Sequence, residues 1–230
     1  MTITTCTKGT WDISDVQHKV NAGRWVTYDP ANDPKKLESS GNQDVWGEGG
    51  LNLGAFSVSS PVQIPGTTWC ALCFGSDTAA ALKTDGTLWV WGRNSNGQLG
   101  QSNIIHKSSP VQIPGTTWCY IAMGKEDAQG SAFAIKTDNT LWAWGSNSLG
   151  EAGVNSTTVL CYSSPVQIPG TTWCKVTSGI DTHMALRTDG SLWSWGTGTN
   201  GNTGQNVVTA ASSPTQLAGT WIDMTTHVDG

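Results

Sequence analysis

The chain has 230 residues and a formal net charge of −5, with 37% apolar and only 13% charged residues. This composition excludes a disordered chain, and the length suffices for one domain with a sizeable core. Twelve Lys and Arg against 17 Asp and Glu argue against nucleic-acid binding through phosphate contacts. No apolar run reaches the length of a membrane span, so none is expected.

Residues 1–57 differ from the rest of the chain because they lack a clean internal repeat. Met1–Cys6 has no basic stretch followed by an apolar block, so we expect no secretory signal and synthesis in the cytoplasm. The segment either completes a degenerate first repeat or anchors the protein to a partner. Trp11 and Trp25 lie outside the repeats and are therefore candidates for partner contact.

An internal repeat dominates the remaining sequence. The segment Ser59–Cys70 recurs without change at Ser108–Cys119 and Ser163–Cys174, and a weaker copy occupies Ser212–Trp221. A second block, Leu82–Gly92, is likewise repeated between these marks. The period of about 50 residues, combined with β-type patterning, indicates a propeller rather than a helical solenoid.

Each repeat predicts four short strands. Thr-Asp-Gly stands between two alternating apolar runs and is a strong hairpin signal, and Asn139 replaces its glycine once. In Leu88–Trp91, the period of two places Trp89 and Trp91 on one face. The segment Pro-Val-Gln-Ile-Pro is bracketed by prolines, which lack the donor that a central strand needs, so we expect it at the outer edge.

The sequence therefore predicts an all-β, propeller-like fold of about four four-stranded blades from repeats of about 50 residues, with a terminal stub strand. A divergent N-terminal segment and the propeller repeats divide the chain. The predicted boundaries are 1–57 for the N-terminal segment and 58–230 for the repeats, with units 67–115, 116–170 and 171–219 and the stub 220–230.

These repeats resemble those of the regulator of chromosome condensation family. Ser178–Gly196 is similar to that family's signature G-x-x-H-T/S-x-A-L-x-x-D-G-x-L-Y/W-x-W-G, and Asn94–Gly100 to its N-x-x-G-Q-L-G continuation. The resemblance implies a β-propeller, although the founding member has seven blades and this chain has room for about four and a half. It carries over no catalytic residue. The near-identical copies and the polar surface resemble the phage and bacterial surface branch of such repeats more closely.

The 13 Trp residues could serve as packing or as stacking platforms for sugars. Because most recur at equivalent blade positions, we expect them to build the repeat core. The predicted structural Trp residues are Trp69, Trp89, Trp91, Trp118, Trp142, Trp144, Trp173, Trp193 and Trp195.

The sequence offers little for catalysis, metal or cofactor binding. The Cys70 and Cys73 positions form a C-x-x-C, but on a strand they point to opposite faces, and the second cysteine is not repeated. We expect Cys70, Cys119 and Cys174 to be buried as small apolar residues. Alanine fills the place of His183 in other repeats, which favours a structural role. We expect no enzyme activity, metal or cofactor.

Variable loops between the third and fourth strands are the candidate recognition sites, because rigid scaffolds commonly bind partners through variable loops. They carry the apolar residues Ile104, Ile105, Val159, Leu160 and Tyr162. These residues either bind a partner or cap the blade cores. With Trp11 and Trp25, the residues Ile104, Ile105, Leu160 and Tyr162 form the predicted partner-binding set.

The primary functional hypothesis is a non-enzymatic protein-interaction module, structural or accessory, in a phage virion (tail or capsid appendage) or a bacterial surface adhesin. The expected location is accordingly the virion or cell surface. A carbohydrate-binding, lectin-like propeller is the alternative, and a small-GTPase regulator is a weaker one. Expected partners are virion or cell-surface proteins, with glycans as a second class and a homo-oligomer as a third; nucleic acid is not expected.

Overall fold

A computed structural model describes residues 37–41, 58–75, 77–124, 130–179, 181–198 and 201–224. All strands of these ranges lie in one compact unit, Lys35–Gly230. The N-terminal segment is thus described only at residues 37–41, and the candidates Trp11 and Trp25 lie outside the described residues.

The described residues form one two-stranded and three four-stranded antiparallel sheets. The two-stranded sheet pairs β1 (Leu37–Gly41) with β2 (Val58–Ile64). Blade A contains β3 (Trp69–Phe74), β4 (Thr78–Lys83), β5 (Leu88–Gly92) and β6 (Lys107–Ile113). Blade B contains β7 (Trp118–Met123), β8 (Ser131–Lys136), β9 (Leu141–Ser146) and β10 (Cys161–Gln167). Blade C contains β11 (Trp173–Ser178), β12 (Thr182–Arg187), β13 (Leu192–Gly196) and β14 (Ala211–Leu217).

Within each blade the four strands pair in chain order, as expected for consecutive hairpins. The strands that carry Pro110, Pro165 and Pro214 lie at one edge of their sheets, which confirms the prediction from the missing proline donor. The predicted all-β fold of four-stranded units is also confirmed.

The hairpin between the second and third strands is stabilised by its own aspartate. In blade A, the Thr87 backbone N–H and hydroxyl both donate to Asp85 Oδ1, at 3.0 and 2.7 Å. These bonds favour the charged carboxylate and lower the pKa of Asp85. Asn139 occupies the glycine position of blade B with φ 62°, which asparagine tolerates better than other side chains.

In blades B and C, the second Trp of the third strand packs against the preceding blade. Trp144 of blade B is fully buried beside Leu88 and Leu99 of blade A, and its Nε1–H donates to the Gln98 carbonyl at 2.8 Å. Trp195 of blade C repeats this arrangement against blade B, donating to the Glu151 carbonyl at 2.7 Å. The blade interfaces therefore combine large apolar burial with a satisfied indole donor.

The stub expected at 220–230 is described as far as Met224, and residues 220–224 are not paired as a strand. The Trp221 backbone N–H nevertheless donates to the Gly190 carbonyl at 2.9 Å. Trp118 makes the same bond to Gly86, at 3.0 Å. Residue 221 therefore follows blade C as the first strand of blade B follows blade A.

The expectation of buried cysteines was wrong: Cys70, Cys119 and Cys174 are exposed. Each is the extra residue of a β-bulge, because Trp69 pairs with Lys83 while Ala71 pairs with Leu82, and the other blades repeat this shift. A bulge turns its extra residue out of the regular alternation. Burial predicted from strict alternation therefore fails at this position.

Candidate protein-interaction surface

Three equivalent loops, between the third and fourth strands of each blade, expose adjacent pairs of aliphatic side chains. They are loop A (93–106), loop B (147–160) and loop C (197–210). The side chains of these aliphatic pairs are 41–69% exposed. The pairs are Ile104 and Ile105, Val159 and Leu160, and Val207 and Val208. Surface loops are usually polar, so exposed aliphatic pairs that recur in three blades are unusual. We therefore take these loops as the candidate recognition surface.

Loop A is fixed from inside by one buried asparagine. The Asn94 side-chain amide donates to the carbonyls of Asn103 and Ile105, at 2.9 and 3.2 Å. Its Oδ1 accepts the Leu99 backbone N–H at 2.9 Å. Asn94 therefore satisfies three backbone groups that the irregular loop would otherwise leave unpaired, and it holds the Ile pair in one conformation.

Loop B repeats this device with Asn147. Its side-chain amide donates to the carbonyls of Ser156 and Val159, at 2.7 and 2.8 Å, and its Oδ1 accepts the Ala152 N–H at 3.0 Å. The Asn147 backbone N–H donates to the Leu160 carbonyl at 2.9 Å. The same residue thus contacts the backbone of both members of the exposed pair.

Loop C reaches a similar exposure by other contacts. Gly198 stands where the other loops have asparagine, and a Cβ there would lie 2.3 Å from the Thr209 carbonyl oxygen. The chain instead closes through Gln205, whose amide donates to Ser194 Oγ and to the Thr215 carbonyl, at 3.1 and 3.0 Å. The glycine permits a close backbone approach in place of the side-chain anchor.

Backbone hydrogen bonds tie each loop to the next blade. The Ser102 N–H of loop A donates to the Ser163 carbonyl of blade B at 2.6 Å. The Asn155 N–H of loop B donates in the same way to the Ser212 carbonyl of blade C, at 2.7 Å. Loops A and B are consequently positioned relative to their neighbouring blade as well as to their own.

The loop segments that carry the exposed pairs contain no acidic residue. The segments 101–107, 154–162 and 205–211 contain no Asp or Glu, and Lys107 adds a positive charge beside Ile105. The His106 Nδ1 accepts the Asn94 N–H at 2.8 Å, and burial followed by the nearby Arg93 lowers the pKa of His106. The segments that carry the exposed pairs are therefore neutral to weakly positive.

The structure separates the predicted partner-binding residues. Ile104, Ile105 and Leu160 are exposed on the loops. Tyr162 lies instead on β10, partly buried against the cores at both blade interfaces. Sequence reasoning missed Val207 and Val208, although the same signal, adjacent aliphatic residues between turn residues, would have found them.

Six of the nine predicted structural Trp residues form one repeated arrangement, a Trp pair beside a cation, in each blade. Lys83 Nζ lies 4.7 and 4.3 Å from the ring centroids of Trp69 and Trp89. Blade B places Lys136 between Trp118 and Trp142, and blade C places Arg187 between Trp173 and Trp193. The protein's own cations thus lie over these rings, which leaves less ring face for a sugar.

Two kinds of site are not found in the described ranges. There, no group of three His, Cys, Asp or Glu side chains is arranged to hold a metal ion. Among the same residues, no helix has the length and apolar character needed to cross a membrane.

Family models identify the repeat. Two models, both described as the regulator of chromosome condensation (RCC1) repeat, match residues 85–126 and 69–98. A zebrafish (Danio rerio) RCC2 homolog is 28% identical over 126 residues, which cover 54% of this chain and 25% of the relative. A Xenopus laevis RCC2 homolog is 31% identical over 127 residues, covering 54% of this chain and 24% of the relative. The chain thus spans about a quarter of the length of these relatives.

Solved structures show the same fold. Human WBSCR16 matches with a TM-score of 0.67 and 20% identity, covering 81% of this chain and 48% of that one. Yeast RCC1 (Prp20) bound to Kap60 matches with a TM-score of 0.68 and 18% identity, covering 80% and 45%. Prp20p from Saccharomyces cerevisiae, described with its binding to Gsp1p and histones, matches with a TM-score of 0.62 and 21% identity, covering 79% and 47%.

The expected location on a virion or cell surface was wrong, because the matched relatives are eukaryotic RCC1-type proteins. The resemblance to phage and bacterial surface proteins, the phage-tail and adhesion roles and the virion partners gain no support from them either. That expectation rested on a surface rich in Ser, Thr and Asn. Many of these residues instead serve the fold: Thr87 pairs with the turn aspartate, and Asn94 and Asn147 anchor the loops.

The repeat motif, the strand order of each blade and the solved structures agree with one another. Residues 69–126 of the chain match models of the RCC1 repeat, and its four-stranded sheets have the fold of solved RCC1 β-propellers.

Proposed function

We propose that this chain is a non-enzymatic protein-interaction module whose exposed loops bind a partner protein, and that the partner class is a small GTPase. The observation that carries the proposal is the aliphatic pair repeated on the equivalent loops of three consecutive blades. Each pair is large enough to contribute to a hot spot if a partner covers it.

Preorganisation supports recognition by these loops. Buried asparagines fix loops A and B, so their exposed side chains lose little conformational freedom on binding. A mobile loop would have to be ordered by the partner at a cost in affinity. The geometry therefore favours protein binding over a merely solvated loop.

The choice of a small GTPase rests on the relatives. Prp20p shares the fold and binds Gsp1p and histones, and yeast RCC1 was solved with Kap60. Histones and other basic partners fit less well here, because the segments 101–107, 154–162 and 205–211 contain no carboxylate to pair with them. The small-GTPase regulator thus replaces the virion component as the preferred hypothesis.

Binding and nucleotide-release assays test this proposal directly. The full chain is immobilised and exposed to a panel of purified small GTPases that includes Gsp1p, each prepared nucleotide-free, with GDP and with a GTP analogue. Release of a fluorescent GDP from each GTPase is followed with and without the chain. We expect at least one GTPase to bind saturably and its GDP release to change.

The two readouts separate the parts of the proposal. Saturable binding with altered GDP release supports a regulator. Binding without any effect on release supports an interaction module that is not an exchange regulator. Failure of every GTPase to bind in all three nucleotide states would reject the partner class.

A further inference from the structure

A second candidate site, which none of the exposed aliphatic pairs lines, is a cleft between blades A and B. Its cavity volume is about 270 Å³, the size of a side chain or small molecule rather than of a large cofactor. Ile113 and Pro114 of blade A and Trp118, Trp142 and Pro165 of blade B contribute its apolar walls.

The cleft contains one cation, Lys136. Its Nζ lies 4.7 and 4.0 Å from the ring centroids of Trp118 and Trp142, so the ammonium is held in place by two aromatic faces. Among the described residues the ion pairs are Arg93–Asp77 and Lys175–Asp223, and neither involves Lys136. The ammonium therefore has no carboxylate at contact distance in the described part of the chain.

The Asp138 carboxylate, in the turn that follows Lys136 on the same blade, already accepts two hydrogen bonds. Asp138 feels the charge of Lys136, but its Oδ1 accepts the Thr140 backbone N–H and hydroxyl, at 3.1 and 2.6 Å. A turn carboxylate held by two donors is fixed in the hairpin and is not free to swing over the lysine. An incoming anion would thus meet a positioned and unpaired ammonium.

The polar lining also includes Gln101, whose amide donates to the Gln112 carbonyl at 3.1 Å, and two hydroxyl groups. Ser102 of loop A and Ser164 of β10 line the same cleft, and their Oγ atoms lie 2.9 Å apart. Only one of the two can donate to the other, so the pair retains an O–H for a ligand. One ammonium and one hydroxyl are the donors that two carboxylate oxygens require.

We propose that this inter-blade cleft binds a carboxylate carried on a short aliphatic stem, with Lys136 as its counter-ion and the serine pair as a hydroxyl donor. The Trp and Pro walls suit the methylene groups of such a stem. A phosphate dianion fits less well, because the single positive charge of Lys136 balances only one of its two negative charges. The inference does not rest on the proposed GTPase binding.

The test uses the full chain and three small probes. N-acetyl-glutamate N-methylamide represents a peptide glutamate, N-acetyl-glutamine N-methylamide is its uncharged isostere, and butyrate represents a free carboxylate. Binding is followed by NMR through the indole N–H signals of Trp118 and Trp142. The Lys136→Met variant removes the cation, and Lys83→Met removes the equivalent cation of blade A, which does not line the cleft.

We expect saturable shifts of both indole signals with the glutamate probe, and at least tenfold weaker binding of the glutamine probe to the unaltered protein. Lys136→Met should lose binding to the same extent, whereas Lys83→Met should retain it. Tighter binding of the glutamate probe than of butyrate assigns the site to a protein side chain, and the reverse assigns it to a free carboxylate. Equal binding of the glutamate and glutamine probes would overturn the proposal without requiring any variant to fold.

Discussion

His183 is the residue whose environment departs furthest from that of an ordinary side chain of its type. It is fully buried, with its ring centroid 4.7 Å from that of Phe133 and 5.9 Å from that of Trp195, and its Nδ1 is 2.8 Å from Ser178 Oγ. Burial disfavours the charged imidazolium and lowers the pKa of His183 to about 3. The histidine is thus a neutral packing residue at the interface of blades B and C.

This burial predicts a pH-dependent stability. Between pH 6.5 and about 3 the unfolded chain protonates His183 while the folded chain does not, so protons favour unfolding. The free energy of unfolding should therefore fall by about 1.4 kcal/mol per pH unit as the pH drops through this window, owing to this group alone. Denaturant titrations at several pH values measure the slope.

His183→Ala is the matched control, because Ala79 and Ala132 occupy the same position in blades A and B. The variant removes the imidazole and keeps the turn aspartates. The aspartates therefore contribute equally to the pH dependence of both proteins, and the difference in slope reports His183. Its stability should depend less steeply on pH below 6.5 than that of the unaltered chain. Identical slopes would show that His183 is not protected from protonation.

At the scale of the element, the conformation of a loop can depend on one side chain. Loop B owes its conformation to Asn147, which contacts the backbone at Ala152, Ser156 and Val159. An amide is required at this position because it both donates and accepts. Aspartate has the same shape and retains the acceptor, but a carboxylate cannot donate to the two carbonyls.

Asn147→Asp should consequently destabilise the protein by about 1–3 kcal/mol, the cost of leaving buried carbonyl groups unpaired next to a buried charge. Amide hydrogen exchange within residues 147–160 should accelerate as well. The control is Asn202→Ala, an exposed asparagine of loop C, which should change neither quantity. Unchanged exchange in loop B would mean that Asn147 does not hold it.

Sequence reasoning predicted the elements that repeat and missed contacts that depend on register. The prolines correctly predicted that β6, β10 and β14 lie at sheet edges, because the missing backbone donor can be read from the sequence of the strand itself. The Lys136 stack was not predictable, since a bulge at Cys119 sets the pairing of Trp118 with Lys136. Val207 and Val208 were missed although they form the same adjacent aliphatic pair in the equivalent loop of blade C.

At the scale of the whole molecule, the repeats place an exposed aliphatic pair on the loop of each of three blades. Three blades carry a loop at the equivalent place between their third and fourth strands, and the loops of blades A and B are bonded to the blade that follows. We therefore expect a partner to contact more than one aliphatic pair. The loss from altering one pair should be partial, and the loss from altering several should be larger.

The most direct test of this account is the affinity for Gsp1p, or for whichever GTPase of the panel binds, measured by titration calorimetry for loop variants. Ile105→Asp, Leu160→Asp and Val208→Asp each place a charge on one exposed pair, while Val62→Asp places it on an exposed aliphatic residue of β2. The account predicts that each loop variant binds at least tenfold more weakly and that Val62→Asp binds as the unaltered chain does. Undiminished binding by all three loop variants, with folding confirmed, would contradict it.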